Sequence, residues 1–264
     1  MAGARRGPLV DLHTHILPGL DDGASSMAEA ARMAQVALAD GIGRIAATPH
    51  SLRLPSGADS AALAGRAAEM QSFLRARKLP LRVAPGAETA LIPLLPQQID
   101  AGRTITLNGS RYLLLELPHT GLPARIEEVL FQVQVRGMVP VLAHPERNAE
   151  LARGPELLAR WVERGLMVQI TAASLLGQLG HGPQRAAERF LEANLVHIIA
   201  SDAHNAEGRP PALSAARARA AEIAGADKAL AMVSSTPAAI LDDLPLEVEP
   251  PRLPEKKRWF GLFR

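Results

Sequence analysis

The stretch VDLHTHILPGLDDG, residues 10–23, ends a short apolar run with two histidines two positions apart and continues into a Gly/Asp loop. Period-two strand geometry puts the His13 and His15 imidazoles on one side of the backbone. The arrangement returns near the other end of the chain, where HIIASDAHN, residues 197–205, closes an apolar run with Asp202 and His204. Between them, RIAATPH (44–50), VAPGAE (83–88), YLLLELP (112–118) and VLAHPER (141–147) each finish an apolar run at or near a histidine or glutamate. The candidate metal ligands are His13, His15, Asp22, His50, Glu88, Glu116, His144, Asp202 and His204. Residues scattered from 13 to 204 converge only in a fold that gathers strand ends.

Working outward, strand-like runs alternate with Ala-rich amphipathic segments. Strands are expected near residues 8–12, 44–47, 81–84, 112–117, 139–143, 167–170 and 196–200. Helices are expected near 27–40, 58–78, 94–101, 124–136, 156–164, 183–193, 211–224 and 227–243, the last broken at 234–237. Ser26 and Glu29 stand at capping-box spacing before the first helix. Repeated βα units imply a parallel sheet. An open doubly wound sheet concentrates its ligands at one switch point, whereas a closed barrel builds its site from the C-terminal ends of many strands. The expected fold is therefore α/β, a TIM-like barrel of about seven βα units. The domain organisation read from the chain is an N-terminal extension over residues 1–8, one domain over 9–244, and a proline-rich, then basic-aromatic tail over 245–264.

With 264 residues the chain can bury a substantial core without staples. It has no cysteine, which excludes disulfides, thiolate metal sites and a cysteine nucleophile. The start MAGARRGPLVDLHTH is basic but lacks the apolar segment of a signal peptide, and no apolar run reaches membrane-spanning length, so a cytoplasmic protein is expected. The net charge of +2 hides an uneven distribution: residues 252–264 carry a net +4, so the remainder is at −2. Nucleic acid is not an expected partner.

Five histidines and four carboxylates without sulfur suit Mn, Fe, Zn or Co. Nine donors exceed one tetrahedral site, so two or three divalent ions are expected, with a carboxylate bridging two of them. The surplus positive charge would attract a dianionic ligand and lower the pKa of a bound water. Hydrolysis of a phosphate monoester is the chemistry that follows. Arg147 in HPER and Arg209 in HNAEGRPP add guanidinium forks, which match phosphate oxygens.

In these motifs (DLHTHILPGLDDG, ATPH, GAE, YLLLELP, LAHPER and HIIASDAHNAEGRPP), occurring in this order, the chain resembles the PHP (polymerase and histidinol phosphatase) superfamily. Within it, the likeness is to the capsule and exopolysaccharide protein-tyrosine phosphatases of the CpsB/CapC type. The resemblance implies a distorted (β/α)7 barrel with three metal ions, commonly manganese. It makes all nine candidates metal ligands, with Glu88 as the bridge, and Arg147 and Arg209 phosphate-binding residues. It also implies a substrate, the phosphotyrosine-containing tail of a tyrosine kinase that regulates polysaccharide export, attacked by metal-activated water without a phosphoenzyme. A small-molecule phosphatase acting on histidinol phosphate or a sugar phosphate, and a noncatalytic metal-binding regulator, are the alternatives. Family members often carry aromatic residues after GAE, where this chain has Thr89-Ala90-Leu91-Ile92-Pro93.

Remaining features carry lesser expectations. Asp11 is placed to orient one of the HxH imidazoles, and Asp21 to substitute for Asp22. His197 is expected to be structural, His119 to stand at the site rim, and His181 to lie in a loop. Trp259, Phe260 and Phe263 beside Lys256, Lys257 and Arg258 form a basic-aromatic cluster suited to an anionic membrane surface or a partner.

Overall fold

The structure is a computed structural model that describes residues 8–55 and 58–253. In chain order its strands are β1 (Leu9–Thr14), β2 (Ile42–Ala47), β3 (Arg82–Pro85), β4 (Thr89–Ala90), β5 (Tyr112–Glu116), β6 (Val139–Ala143), β7 (Met167–Thr171) and β8 (Ile198–Ala200). The helices are α1 (Met27–Ala39), α2 (Ser60–Ala76), α3 (Leu95–Asp100), α4 (Ile126–Val135), α5 (Glu156–Glu163), α6 (Ala172–Leu175), α7 (His181–Glu192), α8 (Ser214–Ala224), α9 (Ala226–Ala231) and α10 (Ser235–Leu241). His181 thus opens α7 rather than lying in a loop, and α6 and β4 are elements the periodicity does not reveal.

All strand pairs are parallel, in the orders β1-β2-β3 and β4-β5-β6-β7-β8. Two seams join the sheets. On one side β3 and β4 are halves of a single strand position: β3 pairs with β2, β4 pairs with β5, and a bridge links His50 to Glu88 between them. Pro85 and Gly86 make the break, since proline cannot donate to the ladder. A Cβ on Gly86 would meet Leu107 at 3.1 Å and Thr48 at 3.3 Å, so the chain passes closely there. On the other side Asp202 N–H donates to His13 O (2.9 Å) and His15 N–H to Ala203 O (2.8 Å). Asp11, expected to orient an imidazole, instead locks this seam. Its carboxylate accepts from Ser201 N–H (3.0 Å) and Ser201 Oγ–H (2.5 Å). Burial pushes the Asp11 pKa up to about 6, against the lowering effect of Ser201.

The interior of this seven-position barrel holds one residue set from the strands: Leu12, Ala46, Ala84, Leu114, Val141, Met167 and Ile198. The alternate set, including Leu113, Leu142, Val168 and Ile199, packs outward with helix residues such as Met33, Val133, Leu158 and Phe190. Leu12 and His13 break the alternation. The β1–β2 register slips by one residue between Asp11 and Thr14. This bulge lets Leu12 join the inner apolar layer while His13 turns into the site above it.

Chain beyond Leu244 has no regular secondary structure and packs against the barrel as far as Arg252. Tyr112 Oη–H donates to Leu244 O (2.7 Å), Asn194 Nδ2–H to Pro250 O (2.9 Å), and Arg252 N–H to Ala193 O (2.8 Å). Leu246 and Val248 lie against the inner cluster, beside Ile240 and Leu241 of α10. The basic-aromatic cluster at 256–263 lies outside the described residues.

Candidate metal centre

Most strands deliver a candidate donor at or just past their C-terminal ends, β7 excepted. His144 follows β6 with φ 34°, and Asp202 follows β8 with φ 53°. Both are non-glycine residues in the left-handed region, a conformation costing about 1 kcal/mol or more. The backbone holds them there: His144 N–H donates to Gln169 O (2.7 Å), and Asp202 is tied to His13. The LDDG loop folds back onto β1 so tightly that a Cβ on Gly23 would lie 2.0 Å from His15 O. Only glycine permits this approach. It delivers Asp21 to the His15 ring, where Nδ1–H donates to Asp21 Oδ2 at 2.6 Å.

The nine candidates come together. His13 Nε2 lies 3.2 Å from His15 Nε2 and 3.3 Å from Glu88 Oε2. Asp202 Oδ1 stands 3.3 Å from His15 Nε2 and 3.5 Å from His13 Nε2. Glu88 reaches His144 Nε2 with Oε1 (2.9 Å) and His50 Nδ1 with Oε2 (2.8 Å). Glu116 Oε2 is 3.4 Å from His50 Nδ1. Asp22 Oδ1 is 3.4 Å from His50 Nε2 and 3.7 Å from His204 Nε2. Three overlapping donor groups result: His15, Asp22, His50 and His204; His13, His15 and Glu88; His50, Glu88 and Glu116. Glu88 belongs to two of them.

These spacings fit cations. Donors on one ion at bond lengths near 2.1 Å lie roughly 3–4 Å apart. His13 Nδ1–H donates to Gln169 Oε1 (2.9 Å), so His13 and His15 both have their Nδ1 protons committed. Their Nε2 lone pairs therefore face each other at 3.2 Å, which needs a proton or a cation between them. Glu88 Oε2 is buried among imidazole nitrogens, 2.8 Å from His50 Nδ1 and 3.3 Å from His13 Nε2, yet meets neither with hydrogen-bond geometry. Nitrogen lone pairs and a carboxylate oxygen aimed at common points form a donor set that could hold metal ions.

Electrostatics agree. Burial disfavours a charged His13, but Glu88 and Asp202 outweigh it and push its pKa up to about 9. Burial likewise opposes charge on His50, and Glu116 with Glu88 carries its pKa up to about 10. Burial would raise Glu88 and Asp202, but the surrounding imidazoles hold both carboxyls well below the usual range. For His204, burial and the neighbouring His15 push the pKa down to about 4. The site thus draws positive charge onto itself.

Arg147 and Arg209 meet at Asp202. Arg147 Nη1–H donates to Asp202 Oδ2 (2.8 Å), and Arg209 Nη2–H to the same oxygen (2.6 Å) and to Asp202 O (3.0 Å). Both side chains keep part of their surface open to solvent. Asn205 builds the turn that presents Arg209, its Oδ1 accepting from Glu207, Gly208 and Arg209 N–H at 3.2, 2.7 and 3.0 Å. His119 stands edge-on to His144, with ring centroids 5.9 Å apart, at the expected rim. Sequence reading missed Gln169 and Asn205. Gln169 had a signal, as the one polar side chain inside the otherwise apolar stretch MVQI.

A family model for capsular polysaccharide synthesis, CpsB/CapC, matches residues 9–242, nearly the whole described chain. The chain belongs to the CpsB/CapC family. Tyrosine-protein phosphatase YwqE of Bacillus subtilis is 38% identical over 201 residues, covering 76% of this chain and 79% of YwqE. Tyrosine-protein phosphatase CpsB of Streptococcus pneumoniae is 27% identical over 240 residues, covering 89% of this chain and 99% of that protein. A chain from the crystal structures of YwqE and pneumococcal CpsB, described as unique metal-dependent tyrosine phosphatases, superposes with a TM-score of 0.86 at 34% identity. That match covers 94% of this chain and 100% of the other. A prolidase superposes with a TM-score of 0.52 at 12% identity, over 93% of this chain and 78% of that one, a likeness of fold alone. The barrel architecture and the CpsB/CapC identity thus agree with the motif order.

Proposed function

We propose that this CpsB/CapC family member is a metal-dependent hydrolase of phosphotyrosine in proteins. The observation that carries the reading is the set of three donor groups sharing Glu88, His15 and His50, with Arg147 and Arg209 beside it at Asp202. His13, His15, Asp22, His50, Glu88, Glu116, His144, Asp202 and His204 would hold two or three divalent ions, manganese foremost, with Glu88 bridging. When bound, such ions supply a water of lowered pKa and positive charge for phosphoryl oxygens. The protein's own residues do the rest. Gln169 and Asp21 hold the His13 and His15 rings so that Nε2 faces the centre. Asp202 takes one donor nitrogen from each arginine, leaving other N–H groups of both forks for phosphate oxygens. A chain without cysteine has no thiolate to form a phosphocysteine, which supports direct attack by water.

The natural substrate on this reading is the tyrosine-rich tail of a kinase controlling polysaccharide export. Among the described residues no helix is long and apolar enough to cross a membrane. Residues 252–264 are the basic-aromatic element that would add to contact with a membrane-bound kinase. The test is turnover with Mn²⁺ on phosphotyrosine peptide, phosphoserine peptide, histidinol phosphate and p-nitrophenyl phosphate, with and without EDTA. Metal-dependent turnover of the phosphotyrosine peptide is expected, and its loss in His144→Ala and Asp202→Ala with the fold retained. Turnover that survives EDTA, or a preference for histidinol phosphate, would overturn the reading.

A further inference from the structure

Beside the metal centre lies a groove that no ligand group uses. A depression of about 250 Å³ contains His50, Glu88 and Glu116. It shares Ser51, Leu52 and Ala90 as a wall with a larger groove of about 470 Å³. The larger groove is lined by Leu52, Thr89, Ile92, Leu94, Arg103 and Thr104, among others. A chain leaving the metal site on this side passes directly onto it.

Two observations show what the groove fits. Leu52 and Leu94 are 72% and 61% exposed, large apolar side chains left in water on its walls. Scattered singly they would mean little, but paired along one groove they form an apolar ledge. Second, Arg103 makes no ion pair among the described residues and is exposed on the groove, while Arg53 at the shared end lies 3.6 Å from Asp22. An apolar ledge and an open guanidinium together suit an extended polypeptide with apolar and acidic side chains. Leu94 and Arg103 line the larger groove and not the depression that contains His50, Glu88 and Glu116.

We infer that this groove binds the polypeptide flanking the phosphorylated residue and selects substrates with an acidic and an apolar residue there. Leu94 and Arg103 are specificity-determining residues, outside the metal centre. This rests on the phosphotyrosine-hydrolase reading.

The test uses manganese-loaded full-length protein and three substrates: p-nitrophenyl phosphate, a phosphotyrosine peptide flanked by Glu and Leu, and one flanked by Lys and Gly. For wild type, the Glu/Leu peptide is expected to have a KM at least tenfold below that of the Lys/Gly peptide. Arg103→Glu should raise the KM of the acidic peptide tenfold or more, keep kcat within twofold, and shift preference toward the lysine-flanked peptide. Leu94→Asp, a surface change, should raise KM for the Glu/Leu peptide alone. Neither variant should alter p-nitrophenyl phosphate turnover. Phosphopeptides turned over equally well whatever their flanks, or variants that affect all three substrates alike, would overturn the groove and leave the phosphatase reading standing. Wild-type turnover of p-nitrophenyl phosphate with none of either phosphopeptide would overturn both.

Discussion

His13 donates its Nδ1 proton to Gln169 Oε1, and His15 donates its own to Asp21 Oδ2, so which nitrogen each ring offers is settled by a neighbour rather than by the histidine. The HxH pair was legible in the sequence because period-two spacing suffices for it. Gln169 and the role of Asp21 were not, because Gln169 acts across strands from 156 residues away and Asp21 through a loop that folds back onto β1. Asp11 looked like an imidazole partner by proximity, yet it braces the β1–β8 seam through Ser201. These placements make a residue-level prediction. Gln169→Leu removes the acceptor that aims His13 while filling a buried site, so manganese affinity should fall about 10–100-fold with the metal-free fold intact. Titration of Mn²⁺ into both proteins measures it, and equal affinities would show that His13 needs no anchor.

Among the elements, β7 and β8 are joined by a histidine that does no chemistry. Val168 N–H donates to His197 Nδ1 at 2.9 Å, and burial pushes the His197 pKa down to about 4. The folded ring is neutral where an unfolded one begins to take up a proton below its ordinary pKa of 6.5. Its stabilising contribution is complete above that pH and is lost as pH falls toward 4. With about 1.4 kcal/mol per pKa unit, wild type should lose about 3 kcal/mol more than His197→Asn between pH 7 and pH 4. Urea unfolding of metal-free protein across that range would read the difference, and parallel slopes would rule the mechanism out. The helices show the same partial legibility. Ser26 caps α1 as its spacing predicts, accepting from Glu29 N–H at 3.2 Å. Glu29, however, leaves the capping box and accepts from Ala206 N–H at 3.0 Å, beside the Asn205 turn that presents Arg209. A local motif was diverted to a distant loop because the barrel brought that loop within reach.

For the whole molecule, the centre gathers four carboxylates and five imidazoles inside a barrel, an arrangement in which a bound cation would replace protons on groups such as His13 and His50, whose pKa values are pushed up to about 9 and about 10. Metal binding should therefore release protons near pH 8, seen as a buffer-dependent heat of binding, and should weaken as the pH falls. It should also stabilise the fold. At a metal concentration of a hundred times Kd, one site contributes about 2.7 kcal/mol, which for a chain of this size raises Tm by roughly 5–10 °C. Calorimetry with Mn²⁺ and with EDTA checks this, and an unchanged Tm would mean that the donor groups do not hold metal in the native state.

The order of the strands, their parallel pairing and the position of a donor at nearly every strand end were determined by the sequence alone, because apolar runs, helix periodicity and polar punctuation are local properties. The tertiary structure decided the rest. A one-residue register slip turns His13 inward beside Leu12, a proline and a glycine split one strand position into β3 and β4, and the groove of Leu52, Leu94 and Arg103 assembles from three separate segments. Apart from the Pro85-Gly86 pair, none of these has a local signature, since each depends on which backbone passes beside which. The same holds for the shared oxygen of Asp202, where Arg147 and Arg209 meet from 55 and 7 residues away.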